Sequence, residues 1–192
     1  MSKYLTVPHM KQLPHTRSCF VCGETNNRGL NLRSSTDGRT VTAEFAFGPE
    51  HVGFKQTIHG GLTATVLDEV MTWACALGAR RFAYCAELNV RYLQPVRPGQ
   101  KLVASAELVN NRRGRVFEAS GEMRDGSGTV LAKATGKYVP LNEVDATGMA
   151  ADFLGDIGWV LGPPQAAAPQ ASPAQKDGNR NPSAPNPRQS PG

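Results

Sequence analysis

Apolar and polar residues alternate along most of this chain, and the alternation gives way to a helical period only once. Thr40-Val41-Thr42-Ala43-Glu44-Phe45-Ala46-Phe47 reads as a strand that stops at Gly48-Pro49. Leu30-Asn31-Leu32-Arg33 is a candidate first strand, followed by the turn signal Thr36-Asp37-Gly38. Over residues 60–78 the spacing changes to three and four. Leu62, Val66, Val70, Trp73 and Leu77 fall on one apolar stripe, Gly78 supplies a stop, and Arg80-Arg81 suits a helix C-terminus. Strands then resume at 85–93, 101–109, 115–124 and 129–141, separated by Pro95…Pro98-Gly99, a turn at 110–114 and Asp125-Gly126-Ser127-Gly128. Two strands, one helix and four strands on hairpin-length turns predict an α+β fold. Its antiparallel sheet of about five to six strands should wrap around one long central helix.

Composition divides the chain further. Residues 163–192 hold eight of the 14 prolines and no Val, Ile, Leu, Met, Phe, Trp, Tyr or Cys. Such a stretch cannot bury enough apolar surface to offset its ordering entropy, so a disordered Pro/Ala/Asn-rich tail is expected there. Residues 143–162 carry four acids and no Lys or Arg, which marks a short acidic extension. The folded domain is expected at 28–142, preceded by an N-terminal cover segment at 1–27.

Charge and cysteine content exclude several classes. The net charge of +5 is concentrated before residue 143, a balance that suits a polyanionic ligand such as coenzyme A but is also ordinary for solubility. The basic positions lack the interleaved aromatics that stacking on bases requires, so no nucleic-acid partner is expected. No apolar run approaches the ~20 residues of a membrane span, and the first residues contain no apolar signal core; no membrane association and a cytoplasmic location are expected. Four cysteines in an ordinary-sized domain do not form a disulfide framework.

The chemistry concentrates at the start of the predicted helix. His59-Gly60-Gly61 places two residues without side chains on a helix first turn, where backbone N–H groups have no internal partner and form the positive end of the dipole. Asp68 lies off the apolar stripe, in line with Thr65 and Thr72, and is flanked by Ala64, Met71 and Cys75. That surface is too apolar for bulk water and reads as a face that meets a partner. His59 either caps the helix or touches substrate, and the two roles are compatible.

Taken with the strand Leu88-Asn89-Val90-Arg91-Tyr92-Leu93, the Pro95-Val96-Arg97-Pro98-Gly99 run and the opening Cys19-Phe20-Val21-Cys22-Gly23…Gly29-Leu30, these motifs resemble the hotdog-fold acyl-CoA thioesterases. The likeness is to the phenylacetate-pathway-like branch of the 4-hydroxybenzoyl-CoA thioesterase superfamily and covers about residues 19–141. It implies hydrolysis of an acyl-CoA or other acyl thioester to free acid and thiol. The N–H of Gly60, with Gly61 adjacent, would polarise the carbonyl. Asp68 would be nucleophile or general base, and Thr72 would position the water. Some relatives carry a Gln six residues before the histidine, where this chain has Gly53; Gln56 stands three before it. Gln56 and Asn89 are candidate substrate contacts, and Arg80, Arg81, Arg112 and Arg113 are candidates for coenzyme A phosphates. Two other activities stay open: a non-catalytic acyl-CoA-binding hotdog, and a hotdog enoyl-thioester hydratase or dehydratase.

Helix geometry adds a constraint. Gly61 and Asp68 are seven residues apart, ~10 Å along the axis, whereas both groups must lie within ~3–4 Å of one carbonyl. Two antiparallel helices across a two-fold axis meet that need, so a homodimer with composite sites is expected, assembled further as a dimer of dimers. Cys19-x-x-Cys22 is at most half of a zinc site, with His9 and His15 as further candidate ligands. The expectation is that these cysteines pack within the cover segment and that no metal or cofactor is bound.

Overall fold

The computed structural model describes residues 10–161; His9 and the proline-rich stretch beyond lie outside the described residues. In chain order the elements are β1 (Lys11–Gln12), β2 (His15–Thr16), β3 (Ser34–Thr36), β4 (Val41–Phe45), β5 (Val52–Phe54), β6 (Thr57–Ile58) and α1 (Gly60–Ala79). There follow β7 (Ala83–Tyr92), β8 (Leu102–Arg112), β9 (Val116–Asp125), β10 (Val130–Pro140), α2 (Glu143–Ala150), β11 (Phe153–Leu154) and α3 (Gly158–Leu161). Seven strands form one sheet in the order β1-β3-β4-β8-β9-β10-β7, and each neighbouring pair is antiparallel. The sheet is wider than the five to six strands expected, because the two-residue β1 pairs with β3 at its edge.

Alternation decides which residues face the helix. Leu102, Ala104 and Ala106 of β8, Phe117, Ala119 and Met123 of β9, and Ala132, Ala134 and Tyr138 of β10 are buried. Their neighbours Ser105, Glu107, Ser120, Glu122, Lys133 and Thr135 line a concavity of about 540 Å³ on the opposite, polar face. The small residues on the helix side let α1 approach closely. Gly121 is the tightest of them, since a Cβ there would lie 3.1 Å from the Ser105 carbonyl and 3.2 Å from Met71.

Two expectations about local structure are corrected. The first strand lies at Ser34–Thr36, not at Leu30–Arg33. The amides of Leu30 and Leu32 instead donate to the carbonyls of Phe20 and Val21, tying that segment to the N-terminal residues and burying Leu32. Gly78 does not stop the helix, which continues to Ala79; Arg80 takes the left-handed position at φ 58°. Gly78 is needed for contact instead, because a Cβ there would sit 2.6 Å from Leu108 Cδ2 and 3.0 Å from its Cβ. Burial on α1 extends beyond the apolar stripe. Thr63, Leu67, Met71, Ala74, Cys75 and Ala76 are buried along with Val66, Val70, Trp73 and Leu77.

The reason for that burial is a second cover over the helix. Residues 10–32 and 143–161 meet through β2 and β11, where Thr16 pairs with Phe153. Ser18 N and Oγ both donate to the Asp152 carboxylate, the latter over 2.7 Å. Phe153 stacks on Phe82, and both rings meet Trp73 edge-on with centroids 5.7 Å apart. Each aromatic so buried contributes about 1.5–3 kcal/mol, which anchors both terminal segments to one face of α1.

Candidate active site

The site begins where β6 runs into α1. His59 is the N-cap residue, and its Nδ1 accepts the Gly61 N–H over 2.9 Å. Capping is therefore the role the geometry shows for His59, and it occupies the Gly61 donor. Gly60 differs, because its N–H makes no hydrogen bond among the described residues. The Gly60 carbonyl accepts from Tyr92 Oη over 2.9 Å, which fixes the turn against the end of β7. A cleft of about 380 Å³ opens there, lined by Gly60, Thr63, Ile58, Tyr92, Pro95 and Val96 among others. One unpaired N–H on an apolar cleft at the positive end of a helix can hold a developing oxyanion.

The missing side chain at Gly53 now has a physical reason. A Cβ there would lie 2.9 Å from His59 Cα and 3.0 Å from its Cβ, so a glutamine would displace the capping histidine. Gln56 sits in the tight β5–β6 turn with φ 57° and is exposed; its carbonyl faces the Arg97 guanidinium.

Asp68 occupies the middle of α1 and is partly buried. Its Oδ1 accepts from Tyr138 Oη over 2.9 Å. Burial, then the Asp68 charge, pushes the Tyr138 phenol well above its ordinary range, so it acts as a donor throughout the neutral range. Cys85, opposite Tyr138 in the β10–β7 ladder, is raised to about 11 by burial and by its hydrogen bond to Asp68. Cys75, one turn of helix further than Thr72, is raised to about 12 by burial first. Both thiols stay protonated through the neutral range. Thr72, one turn after Asp68, is partly buried. Tyr138 escaped the sequence reading. Its one advance signal was position, since it lies on the buried register of β10, and a buried tyrosine hydroxyl needs a partner.

The remaining expected contacts are dispersed. Asn89 lies on the outer sheet face, in the concavity away from α1. Arg80 Nη1 donates to the Trp159 carbonyl and Arg81 Nη2 to the Leu141 carbonyl, so both hold the C-terminal segment. Arg112 pairs with Glu118, while Arg113, at φ 54° in the β8–β9 turn, makes no ion pair among the described residues. That turn lies beyond the C-terminal end of α1, where Leu108 meets Gly78, and is thus at the far end of the helix from Gly60.

A second polar group flanks the site. Glu69 points to the other side of α1, where Trp73 Nε1 donates to its Oε1 over 3.1 Å. Burial, followed by the nearby Cys19, pushes its carboxyl up to about 7. His15, a suggested zinc ligand, turns instead to Glu24, with its Nε2 2.8 Å from Oε2.

The family profile described as "Thioesterase superfamily" matches residues 55–132, the span from the β5–β6 turn into β10. The chain is 28% identical to human acyl-coenzyme A thioesterase 13 over 111 residues, which is 57% of this chain and 73% of that protein. Among solved structures it is similar to a thioesterase superfamily protein at 26% identity and TM-score 0.59, over 64% of this chain. The chain spans 60% of the length of that relative. The PaaI protein from the phenylacetic acid degradation operon of E. coli shares the fold at 18% identity and TM-score 0.52, over 58% of this chain and 78% of its own.

Proposed function

We propose that this chain, whose residues 55–132 match the thioesterase superfamily profile, hydrolyses an acyl-CoA thioester to the free acid and coenzyme A. The observation that carries the proposal is the division of labour on α1. His59 takes up the Gly61 N–H, and Gly60, which lines the cleft, keeps its own N–H unpaired among the described residues. Asp68 is held by Tyr138 eight residues further on.

The thioester carbonyl enters the cleft beside Tyr92, and its oxygen takes the Gly60 N–H as negative charge builds on it. Asp68 either attacks the carbonyl carbon or removes a proton from the attacking water, with Thr72 orienting that water. The carbon–sulfur bond breaks and coenzyme A leaves as its thiolate; where Asp68 is the nucleophile, water then hydrolyses the resulting Asp68–acyl anhydride to release the acid and restore the carboxylate. Gly60 and Asp68 are ~12 Å apart along one helix, so the two halves come from different subunits.

The sheet supports that assembly. Among the described residues β7 is an edge strand with an unpaired outer ladder, and Tyr84, Tyr92 and Leu93 are exposed along it or at its end. A second copy of β7 would cover this edge and bring a second helix alongside the first. Of the cations expected near coenzyme A phosphates, Arg80, Arg81 and Arg112 have partners, while Arg113 keeps its guanidinium unpaired among the described residues. Among the described residues, no helix is long and apolar enough to cross a membrane.

The test is thiol release from a panel of acyl-CoA and aryl-CoA thioesters by wild type and Asp68→Asn. At least one thioester should be turned over by the wild type, and the variant should lose two or more orders of magnitude in turnover with little change in substrate binding. An Asp68→Asn protein with near-normal turnover would overturn the role of Asp68.

A further inference from the structure

We propose that Cys19, Cys22 and Glu69 form a zinc site that fastens the N-terminal segment to the helix carrying Asp68. The donor atoms of the three residues all lie within 4.8 Å of one another, although Glu69 is remote from the cysteines in sequence. Zinc bound to thiolate at about 2.3 Å holds its sulfurs about 3.8 Å apart, so small side-chain rotations close the cluster around one ion. Two sulfurs and a carboxylate suit a borderline-soft divalent cation better than magnesium or calcium, which prefer all-oxygen shells. Water completes the tetrahedron.

The surroundings are those of a ligand set held in place. The Cys19–Cys22 turn is rigid: Gly23 N donates to the Cys19 carbonyl over 2.9 Å and Val21 N to Cys19 Sγ over 3.2 Å. Only glycine fits after the second cysteine, because a Cβ at Gly23 would lie 2.2 Å from the Cys19 carbonyl oxygen. N–H donation to the sulfur stabilises it as a thiolate ligand. On the helix side, Trp73 Nε1 orients the Glu69 carboxylate, the outer-shell contact typical of metal-bound carboxylates. Among the described residues Glu69 has no cationic partner, and its charge is left to be balanced by the ion. This site is distinct from the thioester chemistry: Glu69 turns to Trp73 and the N-terminal cysteines rather than to Tyr138, and none of the three residues lines the cleft at Gly60.

The test uses the full chain, expressed with zinc and without a metal-binding tag, and kept reduced with a phosphine. After gel filtration, elemental analysis should find about one zinc per chain. Stripping the ion and titrating with cobalt should produce the near-ultraviolet charge-transfer band of thiolate ligation. Cys19→Ser and Cys22→Ser should each diminish that band, and Glu69→Gln should weaken zinc binding by about tenfold or more. The wild-type measurements stand even if a cysteine variant fails to fold. Reduced wild type that retains less than about a tenth of an equivalent and gives no cobalt band would overturn the site. So would zinc binding that is unaltered in folded Glu69→Gln, since the carboxylate would then be no ligand.

Discussion

Tyr138, on the last long strand, donates its hydroxyl to Asp68, on the helix, over 2.9 Å. The phenol is fully buried, and the ring stands over Gly136, where a Cβ would lie 2.8 Å from Tyr138 Cε2. The donor is therefore fixed by its strand, and it holds the Asp68 carboxylate in one orientation. A hydrogen bond to a charged group is worth about 1.5–3 kcal/mol. If that orientation is used in the transition state, Tyr138→Phe should lower kcat by about 10- to 100-fold and leave KM nearly constant. Steady-state kinetics on the best thioester decides this, and an unchanged kcat would reduce Tyr138 to a structural role.

The helix needs a glycine at position 78 for a reason unrelated to ending it. Gly78→Ala drives a methyl group into Leu108 and should destabilise the protein by about 1–3 kcal/mol in urea unfolding. Shortening the obstacle should relieve it, so Gly78→Ala combined with Leu108→Ala should lose less than the two single losses added together. Strict additivity would show that the contact carries no strain.

Much of this was legible from residue order alone. The helix, the turn at Asp125–Gly128 and the apolar surroundings of Asp68 follow from local spacing, and local spacing is what a sequence displays. What stayed hidden depends on distant partners. The Leu30–Arg33 stretch alternates like a strand, yet its amides pair with the Phe20–Val21 turn, and nothing local announces that turn. Glu69 acquires its surroundings only because the terminal segments cover its side of α1 through Trp73 and Phe153. Tyr138 could be placed on an inward register but not opposite Asp68, because strand order decides which tyrosine meets which carboxylate.

Glu69 predicts a pH dependence in metal-free protein. Its carboxyl is pushed up to about 7 in the fold, chiefly by burial, from an ordinary value of 4.5. The folded state thus binds more protons than the unfolded state between those values, and this group's contribution to stability is lost as pH rises through them. Glu69→Gln removes the titration. With chelator present, the variant should gain about 1–3 kcal/mol on the wild type between pH 5 and pH 8. Urea unfolding at the two pH values checks this, and parallel pH profiles would contradict it.

The composite site can be tested by separating its halves. Gly60→Pro removes one N–H at a helix position that tolerates proline, after a His59 whose ψ of 127° already suits the residue before a proline. Gly60→Ala, with a side chain but an intact N–H, is its control. Homodimers of Gly60→Pro and of Asp68→Asn should both be inactive while the control retains turnover. The decisive measurement is thiol release by a purified heterodimer of Gly60→Pro with Asp68→Asn, in which one site carries both lesions and the other carries none. Recovery towards about half of wild-type turnover is the result predicted for a carbonyl held by one subunit and attacked through Asp68 of the other. A verified heterodimer as inactive as its parents would contradict that account and place both groups in the same chain's site.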